Sequence, residues 1–259
     1  MAYNTRYYNR GGSTSGWFPP GVKWLLIANT AIFVLTFFAR LAGDVTASHW
    51  FGLVPAQVFP GLQVWRLFTY MFLHDVGGFG HIVFNMLALW MFGKDIETAW
   101  GTRRFLNFYF LCGLVSGVCV IVLNYLFGNP YTNTIGASGA IYGLLVAFAM
   151  MYPDVTVLFS FLFPIKAKYF VMIIGAIAFL SSFQANTGVS NFAHLGGMVF
   201  GFLYMKSSRS KSASRSPYYT KPGMIAGLRA RYKEWQIQRA KRKFEVYLRK
   251  HGQKGPWMN

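Results

Sequence analysis

Six apolar stretches with no Asp, Glu, Lys or Arg in their middles constrain this chain more than any other feature. They run over about residues 22–39, 81–93, 105–127, 138–152, 168–183 and 191–205. Roughly 20 apolar residues cross the hydrocarbon of a bilayer as a helix. Only 12% of the chain is charged, against about 25% in a soluble domain. The sequence therefore predicts an all-α polytopic membrane protein with six transmembrane helices. Several stretches are shorter than a full crossing, which implies a thinned local bilayer or a working surface sunk below the headgroups. The long first connection, about residues 40–80, is rich in Phe and Trp but too broken by Pro and Gly to be a clean span. The first stretch is long enough to stay as a span, so no cleaved signal peptide is expected.

Lys and Arg set the orientation. Arg6, Arg10 and Lys23 precede or open the first stretch, Lys94, Arg103 and Arg104 lie between the second and third, and Lys166 and Lys168 between the fourth and fifth. The other side holds Arg40 and Arg66 only. Both termini are thus expected in the cytoplasm, as in a bacterial inner membrane protein. Residues 1–20 form a Gly/Ser/Tyr/Arg-rich segment expected to be disordered, 21–206 the membrane domain and 207–259 a basic tail. From Lys206 onward there are fifteen Lys and Arg against Glu234 and Glu245, thirteen of the chain's net +18. Ser207–Pro217 reads as a linker. Over 224–250, Ile225, Leu228, Tyr232 and Trp235 have helical spacing inside a basic face, which fits an amphipathic helix on anionic lipid or a solvated basic helix. No nucleic-acid recognition motif accompanies the charge, so no nucleic-acid partner is expected.

The chemistry is concentrated at the outer ends of the even-numbered stretches. Gly136-Ala137-Ser138-Gly139 puts a serine at the first turn of the fourth, where unsatisfied N–H groups favour developing negative charge. A capping serine beside packing glycines, Gly136 and Gly139, would account for that motif alone. His194 lies at the outer end of the sixth stretch and could take the serine proton; alone, it could equally bond a backbone carbonyl. No Asp or Glu is near either, so the arrangement would be a dyad. Tyr142, one turn below Ser138, could stack on the histidine or simply pack. His81 and Asn85, also one turn apart, are donors suited to an oxyanion hole or to interhelical contact. His74 could join His81 on a metal, but no carboxylate or cysteine stands at ligand spacing, and neither metal nor cofactor is expected. Gly197 and Gly201 have the spacing of a close helix contact. Trp65-Arg66 has the composition of a headgroup anchor, and Glu97, with Gly101 after it, that of a helix-terminal carboxylate. His49 and His251 have no evident partner. Cys112 and Cys119, seven residues apart on one helix and so separated by roughly 10 Å, are too distant for a disulfide.

Taken in order, these elements resemble the rhomboid intramembrane serine proteases. They are Trp65-Arg66, His81-Ile82-Val83-Phe84-Asn85, Glu97 with Gly101, Gly136-Ala137-Ser138-Gly139 with Tyr142, and Ala193-His194-Leu195-Gly196-Gly197 with Gly201. The resemblance spans about residues 22–205 and implies a rhomboid-type six-helix bundle with a membrane-embedded first loop that carries Trp65-Arg66. It implies Ser138 as nucleophile and His194 as base, with Tyr142 supporting its ring. His81, Asn85 and the Ser138 N–H would form the oxyanion hole, and Gly197 and Gly201 would pack the dyad helices together. It also implies cleavage of single-span membrane proteins near the outer surface, often after a small residue such as Ala. The Gly-rich stretch Val76–Gly80 departs from the pattern without touching these positions. The alternatives are an inactive rhomboid-like protein that binds membrane clients, and a transporter, which would need charged groups in mid-span.

Overall fold

The computed structural model describes residues 17–159, 163–181 and 188–214, together with Arg239. Residues 1–16 and, but for Arg239, the predicted amphipathic stretch 224–250 lie outside the described residues. The chain divides into two units, Met1–Ser207 and Ser208–Asn259. The first begins with the long helix α1 (Pro20–Leu41). A connection of short pieces follows, namely α2 (Thr46–Phe51), α3 (Pro55–Val58), α4 (Arg66–Thr69) and a 3-10 turn at Tyr70–Phe72. Next come α5 (Gly80–Trp100), α6 (Thr102–Phe127), α7 (Ser138–Met151), a hairpin of β1 (Thr156–Phe159) and β2 (Phe163–Lys166), α8 (Ala167–Ser181) and α9 (Gly188–Ser214), which runs into the second unit.

Each predicted apolar stretch falls on one of the long helices, and the chain is mostly helical. By length and composition α1 and α6 can cross a bilayer. Helix α7, at 14 residues, reaches only about 21 Å at 1.5 Å per residue, and α8 is described over 15 residues up to Ser181. Helices α5 and α9 are long but end in charged or serine-rich turns.

Three boundaries differ from the sequence expectation. Helix α5 runs past Lys94, Asp95 and Glu97, because the backbone ladder does not stop at the first charge. It ends at Gly101, whose φ of +80° is the left-handed conformation that closes a helix. Helix α9 continues to Ser214 through most of the expected linker. The fourth-to-fifth connection is an antiparallel hairpin pairing Thr156 with Lys166 and Phe159 with Phe163. There Asp154 takes Lys168 at 2.9 Å and Lys166 at 3.3 Å. Hydrogen bonds from Lys168 and then Lys166 hold its carboxyl below the usual range.

Helix α7 is the centre of the bundle. Ten of its fourteen residues are buried, and it packs on α5, α6 and α8. Helix α1 is tied to the bundle by charge. It has no acid in its first turn, and the Glu97 carboxylate accepts the Gly21 N–H at 2.8 Å and the Val22 N–H at 2.7 Å. Those are two of the four N–H groups that a helix start leaves unpaired, and a carboxylate there also meets the positive end of the helix dipole. The Thr102 hydroxyl adds a third bond to the same carboxylate at 2.6 Å. Glu97 therefore caps α1 and does not merely finish α5.

Candidate active site

Ser138 is the first residue of α7, yet it does not cap the helix. The N-cap is Ala137, and no side chain bonds the free N–H groups there. The serine hydroxyl instead lies 2.8 Å from Nε2 of His194. The hydroxyl thus bonds to the imidazole and not to its own helix. The Tyr142 ring stacks on the His194 ring at 4.2 Å between centroids with planes 1° apart. His194 Nδ1 is buried without a hydrogen-bond partner among the described residues, so stacking rather than a carboxylate fixes the ring plane.

Close backbone approach brings the two helices together. A Cβ on Gly197 would fall onto the carbonyl oxygen of Gly139, and one on Gly201 would stand 3.0 Å from the carbonyl oxygen of Gly143. Glycines four apart on α7 thus face glycines four apart on α9, which is how helices approach closely where burial supplies no driving force. Ser116 of α6 fills the remaining corner, donating its hydroxyl to the Ala193 carbonyl at 2.7 Å. That bond anchors the residue before His194.

Gly136 marks the second half of the site. Its φ of +125° is open to glycine and strained for other residues. A Cβ there would sit 2.9 Å from His81 Nε2 and 3.7 Å from Ser138 Oγ, so the imidazole edge and the hydroxyl flank this one residue. The Asp75 N–H donates to His81 Nδ1 at 3.3 Å. With Nδ1 accepting, the ring hydrogen belongs on Nε2, the atom on the Gly136 side. Asn85 is buried, and its amide nitrogen donates one hydrogen to the His81 carbonyl at 2.7 Å. The second amide hydrogen is left for another acceptor. The His74 ring lies 5.2 Å from that of His81, and among the described residues no group of three His, Cys, Asp or Glu is placed to hold a metal.

Arg66 is held inside the first connection. It is 2% exposed and donates from its guanidinium to the Gly52 carbonyl and to Gln63 Oε1, both at 2.6 Å. Trp65 is half-exposed and bonds the Trp50 carbonyl at 3.2 Å. Their neighbour Thr69 bonds the Phe51 carbonyl at 2.7 Å. The pair thus holds the first connection in shape. That connection in turn grips the loop before Ser138. Leu53 and Thr134 exchange backbone bonds at 2.9 and 2.8 Å, and the Gly136 N–H donates to the Tyr70 carbonyl at 2.9 Å. Tyr70 is itself buried, with its hydroxyl on the Gly113 carbonyl at 2.7 Å.

Sequence reasoning missed Ser116, Gly143, Tyr70 and the Asp75 N–H. Gly143 was detectable, since Gly139 and Gly143 repeat the spacing of Gly197 and Gly201. Ser116 left a weaker signal, a hydroxyl beside Gly117 in mid-stretch. The other two depend on loop geometry and left none.

Residues 61–209 match the family model described as Rhomboid domain. The chain is 36% identical over 139 residues to rhomboid protease GluP of Bacillus subtilis, a match covering 54% of this chain and 25% of that protein. It is 36% identical over 141 residues to the putative rhomboid protease YdcA of the same organism, covering 54% of this chain and 64% of that one. It is 29% identical over 215 residues to RHOMBOID-like protein 4 of Arabidopsis thaliana, covering 72% of this chain and 52% of that protein. The chain thus spans between a quarter and about two thirds of the length of these relatives.

Proposed function

The chain belongs to the rhomboid family and is an integral membrane protein, and from that premise we propose that it is an intramembrane serine endopeptidase working through Ser138 and His194. The observation that carries the reading is the 2.8 Å contact between the serine hydroxyl and an imidazole held flat by Tyr142. A protein that only binds membrane clients has no use for that contact.

The mechanism follows from the geometry. His194 Nε2 takes the hydroxyl proton as Ser138 Oγ bonds to the carbonyl carbon of the scissile peptide. Negative charge develops on the carbonyl oxygen. The His81 Nε2–H, the second Asn85 N–H and the Ser138 backbone N–H are donors of the kind that stabilise it. His194 then returns its proton to the leaving amine nitrogen, and the C–N bond breaks, leaving an acyl ester on Ser138. Water attacks the ester, giving its proton to His194. The tetrahedral species collapses, the serine oxygen recovers the proton, and the new C-terminal carboxylate leaves.

Six spans with both termini in the cytoplasm put this centre near the outer surface. A helix α7 of about 21 Å makes the bilayer thin beside it, against a usual hydrocarbon core of about 30 Å. The substrates are single-span membrane proteins cut near that surface, and the basic tail from residue 207 rests on anionic lipid of the opposite leaflet. The membrane is the bacterial cytoplasmic membrane, on the positive-inside pattern of the connections.

The test is cleavage of a fluorogenic single-span substrate by the full chain in detergent and in vesicles. Ser138→Ala and His194→Ala are each expected to abolish it while leaving the unfolding midpoint in place. Cleavage that survives Ser138→Ala overturns the assignment.

A further inference from the structure

A loop over residues 74–79 leads from the first connection to α5, whose second residue is His81. It holds most of the Gly-rich stretch in which the sequence departs from the rhomboid pattern. Glycine loses more conformational freedom on ordering than any other residue. A Cβ on Gly78 or Gly80 would meet nothing within 4 Å among the described residues, so packing does not hold the middle of the loop. Its far end is held by Phe79, whose ring lies 5.7 Å from that of Phe33 and 5.6 Å from that of Phe37 on α1. Its near end is held by Asp75.

Asp75 Oδ1 accepts the Gly77 N–H at 2.8 Å, the bond of an Asx turn, in which a short side chain stands in for backbone. The N–H of the same residue donates to His81 Nδ1 at 3.3 Å. Asp75 thus grips the loop with its side chain and the imidazole with its backbone. A neutral imidazole carries its hydrogen on either nitrogen, and the partner of one nitrogen decides which. With the hydrogen on Nδ1, that atom would confront the Asp75 N–H, and Nε2 would turn a lone pair toward Gly136. A lone pair there repels a developing oxyanion, whereas an N–H stabilises it. Asp75 is exposed, so water and salt screen its charge. The geometry of the turn is what reaches His81.

We propose that Asp75 is a positioning residue of the oxyanion hole. Its side chain folds the loop so that its own N–H keeps His81 Nδ1 an acceptor and the ring hydrogen on Nε2. The role rests on the peptidase reading of Ser138 and His194, and it is exerted through His81 alone. The reach of the side chain at position 75 decides the outcome. Asn holds an oxygen at the same distance from the backbone and closes the turn without charge. Glu keeps the charge, but its extra methylene carries the oxygens past the Gly77 N–H. Ala offers neither charge nor acceptor.

The experiment uses the full chain in vesicles. Cleavage of the single-span substrate is measured for D75A, D75E and D75N, with the unfolding midpoint as the check on folding. D75A and D75E are expected to lose about two- to tenfold in kcat, the range of one neutral hydrogen bond, with KM nearly unchanged. D75N should recover that loss. In the H81A background D75A should cost nothing further, because the route through the imidazole is gone. Nitrogen NMR of histidine-labelled protein reads the tautomer without any turnover, the His81 signals being those lost in H81A. They should place the hydrogen on Nε2 in the unaltered protein and in D75N, and show a mixture of tautomers in D75A and D75E. If D75A does not fold, D75E carries the comparison. A hydrogen on Nδ1 in the unaltered protein overturns the role. So does full kcat in D75A, D75N as slow as D75A, or an equal loss from D75A with and without the His81 ring. Cleavage that survives S138A overturns the peptidase reading instead, and the nitrogen signals then still decide whether Asp75 sets the His81 tautomer.

Discussion

Helix α7 has 14 residues and α8 has 15 described ones, both dominated by apolar side chains, yet α7 buries ten residues and α8 three. Apolarity does not separate them. Against hydrocarbon, an exposed Ile or Phe incurs no transfer cost, so a membrane helix has no hydrophobic reason to turn its apolar face inward. What separates them is the distribution of small residues. Gly139 and Gly143 let α6 and α9 close on α7, with Ser116 and Cys112 of α6 filling the gaps. Helix α8 presents Tyr169, Met172, Ile177 and Leu180 outward, and among the described residues its one internal glycine, Gly175, meets only the flexible end of Met198. The buried helix carries Ser138, and the exposed one carries no residue of the proposed site.

Glycine substitutions test this contrast most strongly. In Gly197→Ala the new methyl has no room, because the obstacle is the Gly139 carbonyl, which cannot rotate away. Separating α9 from α7 by about 1 Å should cost roughly 10²-fold in cleavage, and the unfolding midpoint should drop with it. Gly175→Ala on α8 meets the Met198 methyl, which can swing aside. There the midpoint should hold or rise, since Ala exceeds Gly in helix propensity by about 1 kcal/mol. Equal damage from both variants would remove the distinction between the two helices.

The donors beside the head of α7 affect rate at least as much but leave the fold in place. His81→Ala and Asn85→Ala should each leave a folded protein slowed by about 10² to 10³, with residual turnover because the Ser138 N–H persists. Single and double variants that keep full kcat would return both residues to a packing role. Gly136→Ala should follow. It places an L-residue at φ +125° and a methyl 2.9 Å from His81 Nε2, and strain of about 1–3 kcal/mol corresponds to roughly ten- to hundredfold in rate. The loss should be in kcat, with KM nearly unchanged.

The long helices were legible because a run of uncharged apolar residues has one stable form in a membrane. The residues of the proposed site, Ser138, His194 and Tyr142, and the Gly197/Gly201 pair stand out in the sequence because costly or conspicuous groups fall at matching ends of those runs. The same logic misplaced the end of α5, since a charge ends a hydrophobic window but not a helix. Glu97 reads as a satisfied helix-terminal carboxylate and does lie in the last turn of α5, but no local pattern tells that its partners are Val22 and Gly21, 75 and 76 residues back. The hairpin between α7 and α8 gave no sign, because Val, Phe and Leu suit a strand and an apolar helix alike. Arg66 looked like an anchor from its neighbour Trp65. Its burial rests on carbonyl and amide acceptors brought to it by the fold of the first connection, and no local pattern encodes those.

The smallest expected effect sharpens the comparison from the side of α8. Met172 is 68% exposed and Ile177 50%, so Met172→Ala and Ile177→Ala remove atoms whose neighbours are lipid chains. No cavity forms, since lipid fills the space that a packed core would leave empty. Each should shift stability by no more than about 0.5 kcal/mol, the range of surface substitutions away from special features, and kcat should be unchanged in vesicles. A clear drop in the midpoint would mean that this face is covered by protein, and the exposure that distinguishes α8 from α7 would then belong to the isolated chain alone. Repeating the measurement at increasing dilution in lipid separates the two cases. A second copy of the chain would be lost with dilution, and the effect of Ile177→Ala would shrink with it.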